Sequence, residues 1–192
     1  MIPIIITISI VVPLTLLALS VFLFVKKLKC IKVDGHSMSP TLFDGQMLLI
    51  KRVRRLKRGD IAIFHGDTKK PHSTPTCKDD LVKRVAATVG DTVRFVRGNN
   101  DVMWLELKKK GEDNFVRQRE YYTYEPMYRT AKIYPLGEHL IQDKCYYMLG
   151  DNRNRCSDSR KFGAVSHLDI LGKVILAPKS NSLIEKILHL FC

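Results

Sequence analysis

The chain has 192 residues and a formal net charge of +13, with 45% hydrophobic and 27% charged residues. That length suits one compact domain with room for a small subdomain, and it excludes a large multidomain enzyme. The composition excludes wholesale disorder, and eight prolines and eleven glycines are too few for a fibrous or linker-like chain.

Apolar content is concentrated at the N-terminus. Ile2 to Val25 is a run of 24 residues without a charge. As a helix it would measure roughly 36 Å, enough to cross a hydrocarbon core of about 30 Å with some tilt. A cleavable signal peptide would have a basic leader, a shorter apolar run and a small-residue cleavage site. Here no basic side chain precedes the run, which ends in Phe22-Leu23-Phe24-Val25 before Lys26 and Lys27. The pattern predicts an uncleaved transmembrane helix, with anchor and basic flank together spanning residues 1–29. Pro13 falls mid-span, where membrane helices tolerate it. By the positive-inside rule, Lys26, Lys27, Lys29 and Lys32 would hold the following domain in the cytoplasm.

Beyond the anchor the pattern turns to short β-like runs. They are Met47–Ile50, Ile61–Phe64, Leu81–Ala87, Thr92–Val96, Val102–Leu107, Tyr146–Leu149 and Ile170–Leu176, punctuated by Gly, Asp and Asn. No internal repeat is found. The expectation is an all-β domain over residues 30–192. Residues 65–80 read as a loop. Residues 97–139 are more polar and irregular and read as a cap-like insertion. At the end, Ser182 with Glu185 suits a capping box, and Leu183, Ile187, Leu190 and Phe191 share a face. This predicts a short amphipathic helix at about 182–191. Such a helix ordinarily docks on its own domain; membrane contact is the alternative.

The densest basic run, Lys51 to Arg58, has six basic residues in eight. It fits a nucleic-acid patch, an attraction to anionic lipid headgroups, or a solvated strand end and turn. Its neighbourhood with the anchor makes the phospholipid bilayer the better partner, and no specific nucleic acid is expected. Five cysteines (Cys30, Cys77, Cys145, Cys156 and Cys192) include no CxxC pair and no regular His/Cys spacing. No zinc site is therefore expected.

Three segments could carry chemistry. In Gly35-His36-Ser37-Met38-Ser39-Pro40-Thr41-Leu42, a serine in a tight loop can present its Oγ to a substrate, and nearby N–H groups can form an oxyanion site. In Leu81-Val82-Lys83-Arg84-Val85-Ala86, strand alternation puts Lys83 on a face with two aliphatic neighbours. Desolvation disfavours an ammonium, and a neutral lysine can serve a serine as general base. The third, Gly150 to Gly163 (GDNRNRCSDSRKFG), is dense in charged and amide groups and suits a hydrogen-bonded loop that buttresses a site. Its Asp151/Arg153 and Asp158/Arg160 spacings suggest internal ion pairs.

Together, and in this order, the anchor, GHSMSPTL at 35–42, RGDIAIF at 58–64, LVKRVAATVGD at 81–91 and GDNRNRCSDSRKFG at 150–163 resemble the type I signal peptidases. These are membrane-anchored serine–lysine proteases. The resemblance implies antiparallel sheets, a variable cap between the lysine block and the GDNR block, and no metal or cofactor. It matches Ser37 to the nucleophile and Lys83 to the general base, with Gly35 and Ser37 supporting the oxyanion. It matches Met38, Arg84, Asp151, Cys156, Asp158, Ser159 and Arg160 to residues that shape or brace the site. Some members carry a serine hydroxyl where this chain has Gly35, and often a serine at Cys156. The implied function is removal of signal peptides from exported preproteins after small-X-small sites, in the cytoplasmic membrane with the catalytic domain extracytoplasmic. The alternatives are a specialised peptidase for a dedicated export or conjugation substrate, and a non-enzymatic, basic, membrane-anchored binding module.

Overall fold

A computed structural model describes residues 11–17, 19–20, 28–66, 80–123, 125–128, 137–179 and 182–191. Most of the predicted anchor lies outside these residues; 11–17 and 19–20 are helical. Among the described residues no helix is long and apolar enough to cross a membrane.

The body is almost entirely antiparallel β. Seven strands form one sheet in the order β1 (Leu28–Lys32), β2 (Met47–Lys51), β12 (Ile170–Leu176), β3 (Ile61–His65), β4 (Asp80–Ala87), β10 (Cys145–Leu149) and β11 (Val165–Ser166). A second sheet runs β7 (Val116–Arg117), β6 (Val102–Lys108), β5 (Thr92–Arg97) and β9 (His139–Leu140), with β8 (Met127–Tyr128) also on β6. Period-two alternation decides which side chains go inward. On β6, Met103, Leu105 and Leu107 are buried while Trp104 and Glu106 face outward. On β4 the inward set is Lys83, Val85 and Ala87.

Three apolar clusters result. One, with Val93, Phe95, Leu105, Leu107, Tyr147 and Leu149, joins the second sheet to the ends of β4 and β10. Another, with Leu56, Phe64, Val85, Tyr146, Met148 and Ile170, lies under the large sheet. The third, with Val33, Met38, Leu42, Leu48, Ile50 and Ile63, packs the loop after β1 onto β2 and β3.

Strand β1 begins inside the span expected to be anchor and basic flank. Its Lys29 and Lys32 are exposed on an edge strand. Lysines in that place discourage edge-to-edge pairing with another chain. Two of the four cations that bear on membrane orientation thus have a structural role of their own. The basic run from Lys51 to Arg58 is the end of β2 and the turn toward β3. Its Arg52, Arg54, Arg55, Lys57 and Arg58 are exposed, and Leu56 plugs the core.

At the other end, the helix Leu183–Phe191 follows Ser182, whose Oγ accepts a hydrogen bond from the Glu185 N–H at 3.1 Å. That is the serine half of the expected capping box.

Candidate active site

Ser37 sits in the turn that follows β1. Gly35 enters this turn at φ +81°, a left-handed conformation that glycine adopts without strain, and its N–H donates to Asp44 Oδ1 at 2.8 Å. The Ser39 N–H closes back on His36 O at 3.2 Å, and the Ser39–Pro40 bond is cis. Met38 is fully buried in the third cluster. It pins the turn from below and leaves the neighbouring Ser37 at the surface of the core.

Lys83 meets Ser37 from the middle of β4. Only 2% of Lys83 is exposed. Its Nζ lies 2.8 Å from Ser37 Oγ and 2.8 Å from Val82 O. The lysine belongs to the inward-facing set of β4, with Val85 and Ala87, on a strand that lies between β3 and β10. A serine hydroxyl and a buried amine in hydrogen-bond contact are what a serine nucleophile with a lysine base requires.

The segment from Gly150 to Gly163 encloses this pair. The Asn152 N–H donates to Ser37 O at 3.1 Å, and Asn152 Nδ2 donates to His36 O at 3.1 Å. Gly150 lies so close to the serine turn that an added Cβ would meet Ser37 O at 2.6 Å and Cys156 Sγ at 2.8 Å. Asp151 is buried and holds Arg84 by a two-toothed pair, Nε to Oδ1 at 2.9 Å and Nη2 to Oδ2 at 2.6 Å. Thr41 Oγ1 donates to the same Oδ2 at 2.5 Å, which ties the serine turn to the pair. Arg84 also donates to Gly59 O at 2.9 Å and lies over the Tyr122 ring.

Asp158 is the second hub. It caps the short helix Ser159–Phe162. Its carboxylate accepts from the Gly150 N–H, the Cys156 thiol and the Arg160 guanidinium, at 3.1, 2.8 and 2.8 Å. Burial alone would raise its pKa, but the Arg160 charge and these hydrogen bonds hold it below the ordinary carboxylate value. Cys156 Sγ also accepts from Arg160 Nη2 at 2.9 Å. Burial first, and then the Asp158 charge, push the thiol up to about 12, against the opposing charges of Arg160 and Lys83. Ser159 is buried and accepts from the Met148 N–H at 2.8 Å, tying the loop to β10.

All ten residues proposed from sequence therefore fall in one region, with Ser37 and Lys83 in direct contact. One ion-pair expectation is corrected. Asp158 pairs with Arg160, but Asp151 pairs with Arg84, and Arg153 pairs with Glu120 from the loop between β7 and β8. The reason is reach: Arg153 lies in a turn whose Nε is occupied by Gly150 O at 2.9 Å, which aims its guanidinium away from Asp151. Gly150, Asn152, Thr41, Glu120 and Tyr122 were not singled out from sequence. No local spacing marks them, since their partners lie between 33 and 116 positions away in most cases. Among the described residues no cluster of His, Cys, Asp or Glu could hold a metal ion.

Comparison with known proteins agrees with the geometry. A family model described as signal peptidase, peptidase S26, matches residues 4–177. The chain belongs to this signal peptidase family. It is 31% identical over 151 residues to signal peptidase IB of Staphylococcus aureus (strain Mu50 / ATCC 700699), covering 74% of this chain and 73% of that one. It is 34% identical over 132 residues to signal peptidase I of Bacillus licheniformis, covering 67% of this chain and 63% of that one. The crystal structure of a signal peptidase I from Enterococcus faecalis V583 matches with a TM-score of 0.44 and 22% identity, covering 64% of this chain and 98% of that one. Signal peptidases I are membrane-associated serine peptidases that act on preprotein signal peptides.

Proposed function

We propose that this chain is a serine endopeptidase that removes N-terminal signal peptides from exported preproteins after small-X-small sites. Ser37 is the nucleophile and Lys83 the general base. The observation that carries this reading is the 2.8 Å contact between Lys83 Nζ and Ser37 Oγ, with the lysine buried.

Desolvation favours the neutral amine, which takes the Ser37 proton. The Ser37 oxygen attacks the scissile carbonyl, and backbone N–H groups of the turn entered by Gly35 stabilise the tetrahedral oxyanion. Lys83 then gives its proton to the departing amine. A water that loses a proton to Lys83 hydrolyses the acyl-enzyme and restores the hydroxyl. Val82 O aims the amine. Met38, Arg84, Asp151, Cys156, Asp158, Ser159 and Arg160 brace the two loops without touching the reacting bond.

Residues 1–29 serve as anchor and basic flank, residues 30–192 as the peptidase domain, and residues 97–139 as a cap-like insertion within it. The domain faces the extracytoplasmic side. Cys30 is disulfide-bonded, and such bonds persist in oxidising compartments, which supports that side.

The test is cleavage of a preprotein bearing an Ala-X-Ala site by detergent-solubilised wild type, Ser37→Ala and Lys83→Ala. Cleavage by wild type and loss in both variants is expected. Retained cleavage in either folded variant would overturn the assignment of that residue. Protection of a C-terminal tag from added protease in intact cells would overturn the orientation.

A further inference from the structure

The helix Leu183–Phe191 packs on β2 with its sides reversed from those of a core-closing helix. Glu185 is buried, with 8% exposed. Leu183, Ile184 and Ile187 face outward, with 73%, 50% and 41% exposed. At about 100° per residue these three lie within one stripe. Ile175 and Leu176, at the end of β12 just before the helix, are exposed as well. Scattered apolar side chains at a surface are ordinary, but a contiguous stripe marks a contact face.

We propose that this stripe lies in the headgroup–acyl boundary of a phospholipid bilayer, with the helix parallel to the membrane plane. Three observations select lipid as the occupant. The family is membrane-associated. The charge-free run Ile2–Val25 ends three residues before Leu28, where β1 begins, and β1 pairs with β2, the strand under the helix. The first strand after that run therefore lies one strand spacing, about 5 Å, from the strand under the helix. Exposed Lys179 and Lys186 flank the stripe and suit anionic headgroups. A second copy of the chain fits less well. A helix of nine residues presents a face about 14 Å long and about 10 Å wide, small against the roughly 800 Å² per partner of a stable interface. The helix follows the matched region, which ends at residue 177.

The contact is tested with full-length protein reconstituted into phosphatidylcholine–phosphatidylglycerol vesicles containing brominated acyl chains. Ile187→Trp is placed in a Trp104→Phe background, and Trp104 of the unsubstituted chain, on β6 of the second sheet, serves as control. The reporters carry Ser37→Ala, so the result does not depend on the proposed reaction. We expect roughly twofold stronger quenching at position 187 than at Trp104, as for a ring at the headgroup–acyl boundary. Quenching at position 187 no stronger than at Trp104 would overturn the proposal, whether the ring is in water or against another protein chain. Leu183→Trp, on the same stripe, replaces the first reporter if that one fails to fold.

Discussion

Replacing Gly150 by alanine adds a single methyl group where the structure has no room for it. The new Cβ would sit 2.6 Å from Ser37 O, 2.8 Å from Cys156 Sγ and 2.9 Å from Cys156 Cβ. Reaching an ordinary 3.4 Å contact with Ser37 O requires the two segments to part by about 0.8 Å. Neither side yields easily. Ser37 O is backbone, held by the Asn152 N–H, and Cys156 is held between Asp158 and Arg160. The displacement therefore passes into the Ser37–Lys83 contact. Misplacing reacting groups by about 1 Å costs on the order of a hundredfold in rate, so kcat/KM for preprotein cleavage should fall by about that factor. Overpacking of this kind destabilises by about 1–3 kcal/mol, so the protein should still fold. The assay is steady-state cleavage beside a urea denaturation curve. Wild-type turnover by a folded Gly150→Ala protein would refute the claim that this close approach sets the serine's position.

Other expectations follow from the two carboxylate hubs and the thiol. Arg84→Ala removes the two-toothed pair and leaves buried Asp151 without its cation; breaking a buried pair costs about 3–5 kcal/mol, visible as a lower urea midpoint. An unchanged midpoint would mean that Asp151 finds another partner. Asp158 is held below its ordinary pKa in the folded state, so its contribution is complete above about pH 4 and is lost as pH falls through the lowered value. Asp158→Asn should thus lose stability at neutral pH and show a shallower loss below about pH 4 than wild type; parallel acid profiles would contradict this. Cys156, with its pKa pushed up to about 12, is only about one part in ten thousand thiolate at pH 8. Mass spectrometry after iodoacetamide should find it unmodified while the protein is folded and modified once unfolded.

Much of the fold was legible because its strands alternate. Val102–Lys108 and Asp80–Ala87 bury every second residue, and that period is plain in the sequence. Strand β1 was not legible, because Lys29 and Lys32 read as a membrane flank. On an edge strand, outward lysines and a strand are compatible. Alternation could place Lys83 on an apolar face, but its contact with the Ser37 turn, 46 positions away, is a matter of tertiary structure. The partnership of Arg153 with Glu120 was also invisible, since 33 residues separate them and the nearer Asp151 is the obvious candidate. The C-terminal helix was legible in period but not in direction. Periodicity identifies an apolar side without saying whether that side meets protein or another medium.

The position of β12 bears on when the site comes into being. Ser37 hangs from β1 and β2, and Lys83 from β3 and β4, yet in the sheet these pairs are not neighbours. Strand β12, residues 170–176, lies between β2 and β3 and hydrogen-bonds to both. A ribosome that has made the serine and the lysine has not yet made the piece that joins their two halves. Ordered sheet pairing across that gap requires almost the whole chain to have been synthesised. On the proposed reading, the peptidase stays unassembled while it is itself a nascent chain at the membrane, among the substrates it would cut.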